Sequence, residues 1–275
     1  MNRKAFVIGH PIAHSRSPLI HGRWLAEYGI DGSYEAVDVA PPDLPSFFAR
    51  LREGEFVGGN VTIPHKETVF ALCDTIDPLA RTIGAVNTLV AEGGKVHGFN
   101  TDYLGFLGNL DHGAPNWSDR VGPALVLGAG GAARAILVAL RSRHIPVILL
   151  NRTQATAEKL ARELGGEITT GTLEDFNDRA SNARLVVNTT SIGMHGTGFA
   201  SFDLDRLRRG TLVTDIVYVP LETPLLAEAR RRGLPTVDGL GMLLHQAVPG
   251  FAAWFGVNPE VTPELRQSIQ ATLEP

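Results

Sequence analysis

The chain has 275 residues, a net charge of −4 and a hydrophobic content of 44%, enough for one large or two ordinary domains with a substantial core. This balance offers no basic surface for nucleic acid or an anionic membrane. The single cysteine, Cys73, excludes an intrachain disulfide, fits a reducing compartment and reads as a small buried hydrophobe.

The apolar run that ends at Gly9-His10-Pro11 is too short for a signal segment. The longest apolar stretch, 132–140, carries Arg134, so no membrane span is expected and the chain reads as cytoplasmic. Lys4–Gly9 reads as a buried strand. Ser17-Pro18 opens a helix, with serine as cap and proline in the first turn. Tyr34–Val39 is a strand and Pro41–Leu51 a helix. Val57–Ile63 is a strand stopped by Pro64. Lys66–Leu72 and Pro78–Ile83 read as helices. Leu89–Val90 and Val96–Phe99 flank Glu92-Gly93-Gly94, a hairpin signal.

Asp111–Pro123 is polar and turn-rich. Beyond it β-rich runs (124–127, 147–150, 185–188, 212–216, 236–237) alternate with helical patterns (133–140, 155–164, 224–232). Such alternation implies parallel strands with right-handed crossovers. Two last helices, Leu240–Phe255 and Pro263–Leu273, lie beyond those strands and are predicted to pack back on the first domain. The expected class is α/β: two α/β domains with a cleft between them, the second a Rossmann-type doubly wound parallel sheet. The first domain comprises residues 1–103 and 240–275, the second residues 104–239.

Val126-Leu127-Gly128-Ala129-Gly130-Gly131-Ala132-Ala133 runs from a strand through a glycine turn into a helix, the order a dinucleotide fingerprint requires. The first glycine allows the turn, the second lets the backbone approach pyrophosphate, and the small Ala133 lets helix and strand pack closely. The helix start supplies N–H groups for phosphate. After the next strand, where an NAD site carries an acid, stands Asn151-Arg152-Thr153. A carboxylate repels a 2′-phosphate, whereas a guanidinium pairs with it, so the cofactor is predicted to be NADP.

Four polar clusters fall at strand ends or helix starts: His14–Pro18, Asn60–Lys66, Gly84–Thr88 and Gly98–Asp102. Ser15 and Ser17 at a helix start can hold a carboxylate. Strand alternation sends Asn60 and Thr62 to one face. His10 and His14 do not sit on a helix, so no metal site is expected. His65 reads as structural or exposed.

Together these clusters resemble shikimate dehydrogenase, the NADPH-dependent enzyme of aromatic amino-acid biosynthesis. Gly9–Pro18, Asn60–Lys66, Gly84–Thr88 and Asn100–Asp102 are similar to that family's motifs, as are Asn188–Met194 and Asp238–Ala247. The resemblance covers nearly the whole chain and implies reversible reduction of 3-dehydroshikimate, a small-molecule substrate, in a monomer or homodimer. It implies that Ser15 and Ser17 bind the substrate carboxylate. Asn60, Thr62, Asn87, Asp102 and Gln246 hold its ring hydroxyls, with Tyr218 nearby, and Lys66 and Asp102 are the catalytic pair. The cofactor residues it implies are Gly128, Ala129, Gly130, Gly131, Ala132, Asn151, Arg152, Thr153, Thr189, Ser191, Met194, Ile216, Gly239 and Met242. Two departures stand out: Gly22 after His21, where the family usually has asparagine, and the absence of a second arginine in Gln154-Ala155-Thr156. The rival readings are an NAD-using quinate/shikimate dehydrogenase, a methylene-tetrahydrofolate dehydrogenase, and a non-catalytic NADP-binding sensor. Arg152 and Ser17 count against the first, the Ser15/Ser17 pair against the second, and the presence of Lys66 with Asp102 against the third.

Overall fold

A computed structural model describes residues 3–119, 122–194 and 202–273. They form two compact units. One holds the chain up to Gly105 and takes in Leu243–Ile269; the other holds Phe106–Met242 and the chain from Gln270 on.

The first unit opens with β1 (Arg3–Gly9), α1 (Ser17–Glu27), β2 (Gly32–Asp38), α2 (Leu44–Arg52) and β3 (Gly58–Val61). Then come β4 (Thr75–Ile76), α3 (Pro78–Ile83), β5 (Thr88–Glu92), β6 (Lys95–Phe99) and the start of α4 (Asp102–Gly113), which continues into the second unit from Phe106. Its six-stranded sheet runs β2-β1-β3-β5-β6-β4. β1 pairs in parallel with β2 and β3, while β5 is antiparallel to both β3 and β6. Phe6, Ile8, Phe47, Phe48, Leu51 and Leu89 pack on one face of it. At the strand packing, Gly59 lies so close to Phe6 that an added Cβ would come within 2.5 Å of its ring.

The second unit contains β7 (Ala124–Leu127), α5 (Gly131–Ser142), β8 (Val147–Leu150), α6 (Gln154–Leu164) and β9 (Ile168–Gly171). It continues with α7 (Phe176–Arg179), β10 (Leu185–Asn188), β11 (Leu212–Asp215), α8 (Pro224–Arg231) and β12 (Thr236–Val237). The sheet order is β12-β11-β10-β7-β8-β9, parallel throughout. This is the dinucleotide-binding order, in which the strand sequence reverses between β7 and β10. Every residue of β7, β8, β10 and β11 is buried, as expected where helices cover both faces. The Rossmann-type α/β expectation is met.

α9 (Leu240–Phe255) and α10 (Pro263–Gln270) end the chain. Within the first unit, the Trp254 indole on α9 donates to the Leu89 carbonyl at 2.8 Å, and Trp24 Nε1 donates to the Glu260 carbonyl at 3.2 Å.

Several local expectations are corrected. Ser17 is the first helical residue rather than the cap, because Arg16 already has αR dihedrals and its carbonyl accepts from Leu19 and Ile20. Lys66–Leu72 is not an α-helix. The Lys66 carbonyl accepts from Val86 N–H, and only a short 3₁₀ turn, Val69–Leu72, forms. The helix α4 begins at Asp102, inside a stretch whose Gly105, Gly108 and Gly113 lower its helical propensity. The edge strand β9 carries few apolar residues and therefore no strand signature. Gly22 sits on the exposed side of α1, where an added Cβ would meet nothing within 4 Å. Its cost is helix propensity of about 0.5–1 kcal/mol.

Candidate functional site

In the first unit the buried polar groups converge on one network. Lys66 Nζ donates to Asp102 Oδ2 at 2.5 Å, and both side chains are largely shielded, 17% and 8% exposed. Lys66 is held by the loop after β3 through its carbonyl bond to Val86. Its neighbour His65 is buried and pairs Nε2 with the Val39 carbonyl at 2.7 Å. That supports the structural reading of His65. Asp102 heads α4, and its N–H donates to Asn100 Oδ1 at 3.1 Å.

Asn87 joins the pieces. Its Nδ2 donates to Asp102 Oδ1 at 2.9 Å and to Thr101 Oγ1 at 3.0 Å, with a longer bond to Gln246 Oε1 at 3.4 Å. Its Oδ1 accepts from Thr101 N–H at 2.7 Å and from the Thr88 hydroxyl at 2.9 Å. The buried Asn60 on β3 donates to the Asn87 carbonyl at 3.2 Å. Lys66, Asp102, Asn87, Gln246 and Asn60, taken from four sequence clusters, therefore meet. Thr62 follows β3, half-buried, its N–H donating to the Ile8 carbonyl. At the start of α1 the Ser15 hydroxyl accepts from Ser17 N–H at 3.3 Å, so Ser15 performs the end-capping that the sequence assigns to Ser17. Sequence reasoning left Thr88 and Thr101 unassigned although both lie in the polar clusters. It also left out Tyr34, whose hydroxyl donates to Asn60 Oδ1 at 2.7 Å. β2 is otherwise exposed or half-buried and Tyr34 is its one buried residue, so the strand's composition carries no signal for this contact.

His10 pairs with Asp38 at 2.6 Å at an exposed position, and His14 is exposed. Among the described residues no group of three or more His, Cys, Asp or Glu could hold a metal ion. Burial pushes the Cys73 thiol up to about 12, so it is protonated.

In the second unit the residues assigned to the cofactor stand at the carboxyl ends of the strands. Gly128 follows β7 with φ +101°, and an added Cβ would meet Thr189 Oγ1 at 2.8 Å. The Thr189 hydroxyl donates to the Leu127 carbonyl at 2.8 Å. Gly130 precedes α5 at the N-cap position and offers no side-chain cap, and a Cβ there would point into open space. Ala129, Gly131 and Ala132 complete this small-residue turn. After β8, Asn151 Nδ2 donates to the Thr153 carbonyl at 2.9 Å, and Thr153 precedes α6 without a side-chain cap. Arg152 is exposed and makes no ion pair among the described residues. Two uncapped helix starts and an unpaired guanidinium are the donor set that a dinucleotide with a 2′-phosphate requires.

After β10, Asn188 holds the Thr189–Met194 turn. Its Nδ2 donates to the Ile192 carbonyl at 3.0 Å and to Asp215 Oδ1 at 2.9 Å, and its Oδ1 accepts from the Thr190 hydroxyl at 2.7 Å. Ser191 and Met194 are exposed on that turn. Asp215 also accepts from Val217 N–H and the Thr223 hydroxyl, yet burial raises its pKa to about 6. Ile216 follows β11, and Gly239 lies against its carbonyl so closely that a Cβ would come within 2.5 Å. Tyr218 and the buried Met242 belong to the same unit.

Residues 7–89 match the family described as the shikimate dehydrogenase substrate binding domain, and residues 118–201 match shikimate / quinate 5-dehydrogenase. A shikimate dehydrogenase (NADP(+)) of Mesorhizobium japonicum is 56% identical over 274 residues, covering 99% of this chain and 98% of its own. The chain belongs to the shikimate dehydrogenase family. Another such relative, from Methylobacterium radiotolerans, is 57% identical, with 98% and 97% of the two chains covered. Among solved structures, shikimate 5-dehydrogenase from Thermus thermophilus in complex with NADP(H) and shikimate has a TM-score of 0.88 at 38% identity, covering 99% and 100%. Quinate dehydrogenase from Corynebacterium glutamicum in complex with NAD has a TM-score of 0.90 at 29% identity, covering 98% and 99%. Within the shikimate dehydrogenase family, backbone shape therefore does not separate the two substrates. The resemblance carried by the sequence motifs holds over the full length.

Proposed function

We propose that the chain is an NADP-dependent shikimate dehydrogenase, reversibly reducing 3-dehydroshikimate to shikimate on the route to chorismate and the aromatic amino acids. The observation that carries this is the shielded Lys66–Asp102 pair, tied through Asn87 to Gln246. Ketone reduction needs a proton for the developing alkoxide and a positive group to stabilise it. Lys66 supplies both, and Asp102 holds its ammonium in place while accepting from a ring hydroxyl. Asn60, Thr62, Asn87 and Gln246 orient the remaining hydroxyls, with Tyr218 as a further contact. Ser15 and Ser17, with the start of α1, receive the carboxylate. NADPH supplies the hydride when bound.

Gly128–Ala132 takes the pyrophosphate at the start of α5, and Asn151, Arg152 and Thr153 take the 2′-phosphate. Thr189, Ser191, Met194, Ile216, Gly239 and Met242 serve the rest of the dinucleotide. Residues 1–103 with 240–275 form the substrate domain and 104–239 the cofactor domain. No helix among the described residues is long and apolar enough to cross a membrane. The proposed enzyme is cytoplasmic and works as a monomer or homodimer.

The deciding assay follows absorbance at the nicotinamide band with shikimate or quinate and each cofactor in turn. Fastest turnover is expected with shikimate and NADP. Preferred turnover of quinate with NAD would favour the catabolic relative, and NADP binding without turnover would favour a sensor.

A further inference from the structure

Tyr34 on β2 lies outside every motif, yet it stands inside the polar network. Its ring stacks on His21, with centroids 4.0 Å apart and planes 15° apart, and Trp254 packs against it at 5.8 Å. Those contacts fix the ring and aim its hydroxyl. The hydroxyl donates to Asn60 Oδ1 at 2.7 Å, and both residues are buried. Burial raises the phenol well above its ordinary pKa, so it stays a donor.

Asn60 Nδ2 is engaged twice, with the Asn87 carbonyl at 3.2 Å and Thr88 Oγ1 at 3.3 Å. An amide has two N–H donors and two acceptor lone pairs. Both donors are occupied, and Tyr34 takes one lone pair. What Asn60 can still offer is one lone pair on Oδ1.

We propose that Tyr34 is a positioning residue that locks the Asn60 amide oxygen toward the substrate, so that Asn60 acts only as an acceptor for a substrate hydroxyl. The inference rests on the reading of Asn60 as a substrate contact. It has a consequence for specificity. At the position facing Asn60 the substrate must present an O–H, because a carbonyl or ether oxygen there would set acceptor against acceptor.

The test is a cycle of Tyr34→Phe, Asn60→Ala and the double variant, with steady-state kinetics and thermal melts. Phenylalanine keeps the ring and its stacking. Tyr34→Phe is expected to raise KM for shikimate about tenfold, the effect of one buried hydrogen bond. Its kcat should change less than about threefold, and its KM for NADP should stay within about twofold. In the Asn60→Ala background, Tyr34→Phe should add no further loss. An unchanged shikimate KM in Tyr34→Phe, beside a damaged Asn60→Ala enzyme, overturns the inference alone. So do equal penalties in the two backgrounds, or a rise in both KM values that follows the melting temperature. An Asn60→Ala enzyme with normal shikimate KM removes the reading of Asn60 together with the inference.

Discussion

The two units prepare for their ligands in different ways. The first unit sets buried side chains, each already bonded to a neighbour: Lys66 to Asp102, Asp102 to Asn87, Asn87 to Gln246 and Thr101, Asn60 to Tyr34. The second sets backbone: a glycine turn, two uncapped helix starts and one exposed arginine. A side-chain network discriminates among small polar ligands, because every unmatched buried group is costly. A backbone cradle recognises phosphate through fixed N–H groups, and a single surface side chain tunes which nucleotide it accepts. Substitutions should therefore act on turnover and substrate KM in the first unit, and on cofactor KM in the second.

The sharpest break is Lys66→Ala. It should lower kcat about 10²-fold or more, the range of general acid and electrostatic contributions, while leaving cofactor binding near normal. Near-normal turnover in a stopped assay would remove Lys66 from the chemistry. Next comes Gly128→Ala. Its positive φ and the contact with Thr189 predict strain of about 1–3 kcal/mol, read as a lower melting temperature and a raised KM for NADP with shikimate KM little changed. Arg152→Asp should lower kcat/KM with NADP roughly tenfold or more while NAD kinetics change little. If NADP preference survives unchanged, Arg152 is not the group that reads the 2′-phosphate.

The smallest effect per step is acid sensitivity, and it has opposite signs in the two units. Neither ring nitrogen of the buried His21 makes a hydrogen bond among the described residues. Desolvation, only partly opposed by the nearby Asn60 side chain, lowers its pKa to about 3 from 6.5. Between those values the unfolded chain binds the extra proton, so stability is lost as pH falls below 6.5, by up to about 1.4 kcal/mol per pH unit. Asp215, raised from 3.8 to about 6, binds its proton in the folded state across that window. Its contribution therefore improves as pH falls from 6 to 3.8. Hydrogen exchange followed by segment between pH 4 and 6 should show protection falling in the first unit ahead of the second. Equal acid lability of both units would contradict this.

Legibility in the sequence followed the same divide. The second unit's strands 124–127, 147–150 and 185–188 were each readable as short apolar runs, and the glycine turn between strand and helix was readable as a phosphate site, because both signals are local. β9 has no such signal, because an edge strand need not be apolar. In the first unit the motifs named Lys66, Asn87, Asp102 and Gln246, yet nothing in their spacing showed that they touch. The sequence puts Lys66 on a helix that does not form, since its carbonyl is taken by Val86, twenty residues away. In sequence Thr88 and Thr101 read as turn chemistry, whereas in the fold their hydroxyls bond to Asn87 and, for Thr101, to Gln246.

What the sequence by itself determined is the alternation of elements, the dinucleotide turn and the positive charge at Arg152, all properties of residues within one β/α step of each other. Tertiary structure decided which polar side chains meet and in which orientation: Gln246 against Thr101 and Asn87, and Tyr34 against Asn60. The physical reason is that a buried hydrogen bond depends on distance and direction between strands and helices remote in the chain. Periodicity and spacing carry no information about either.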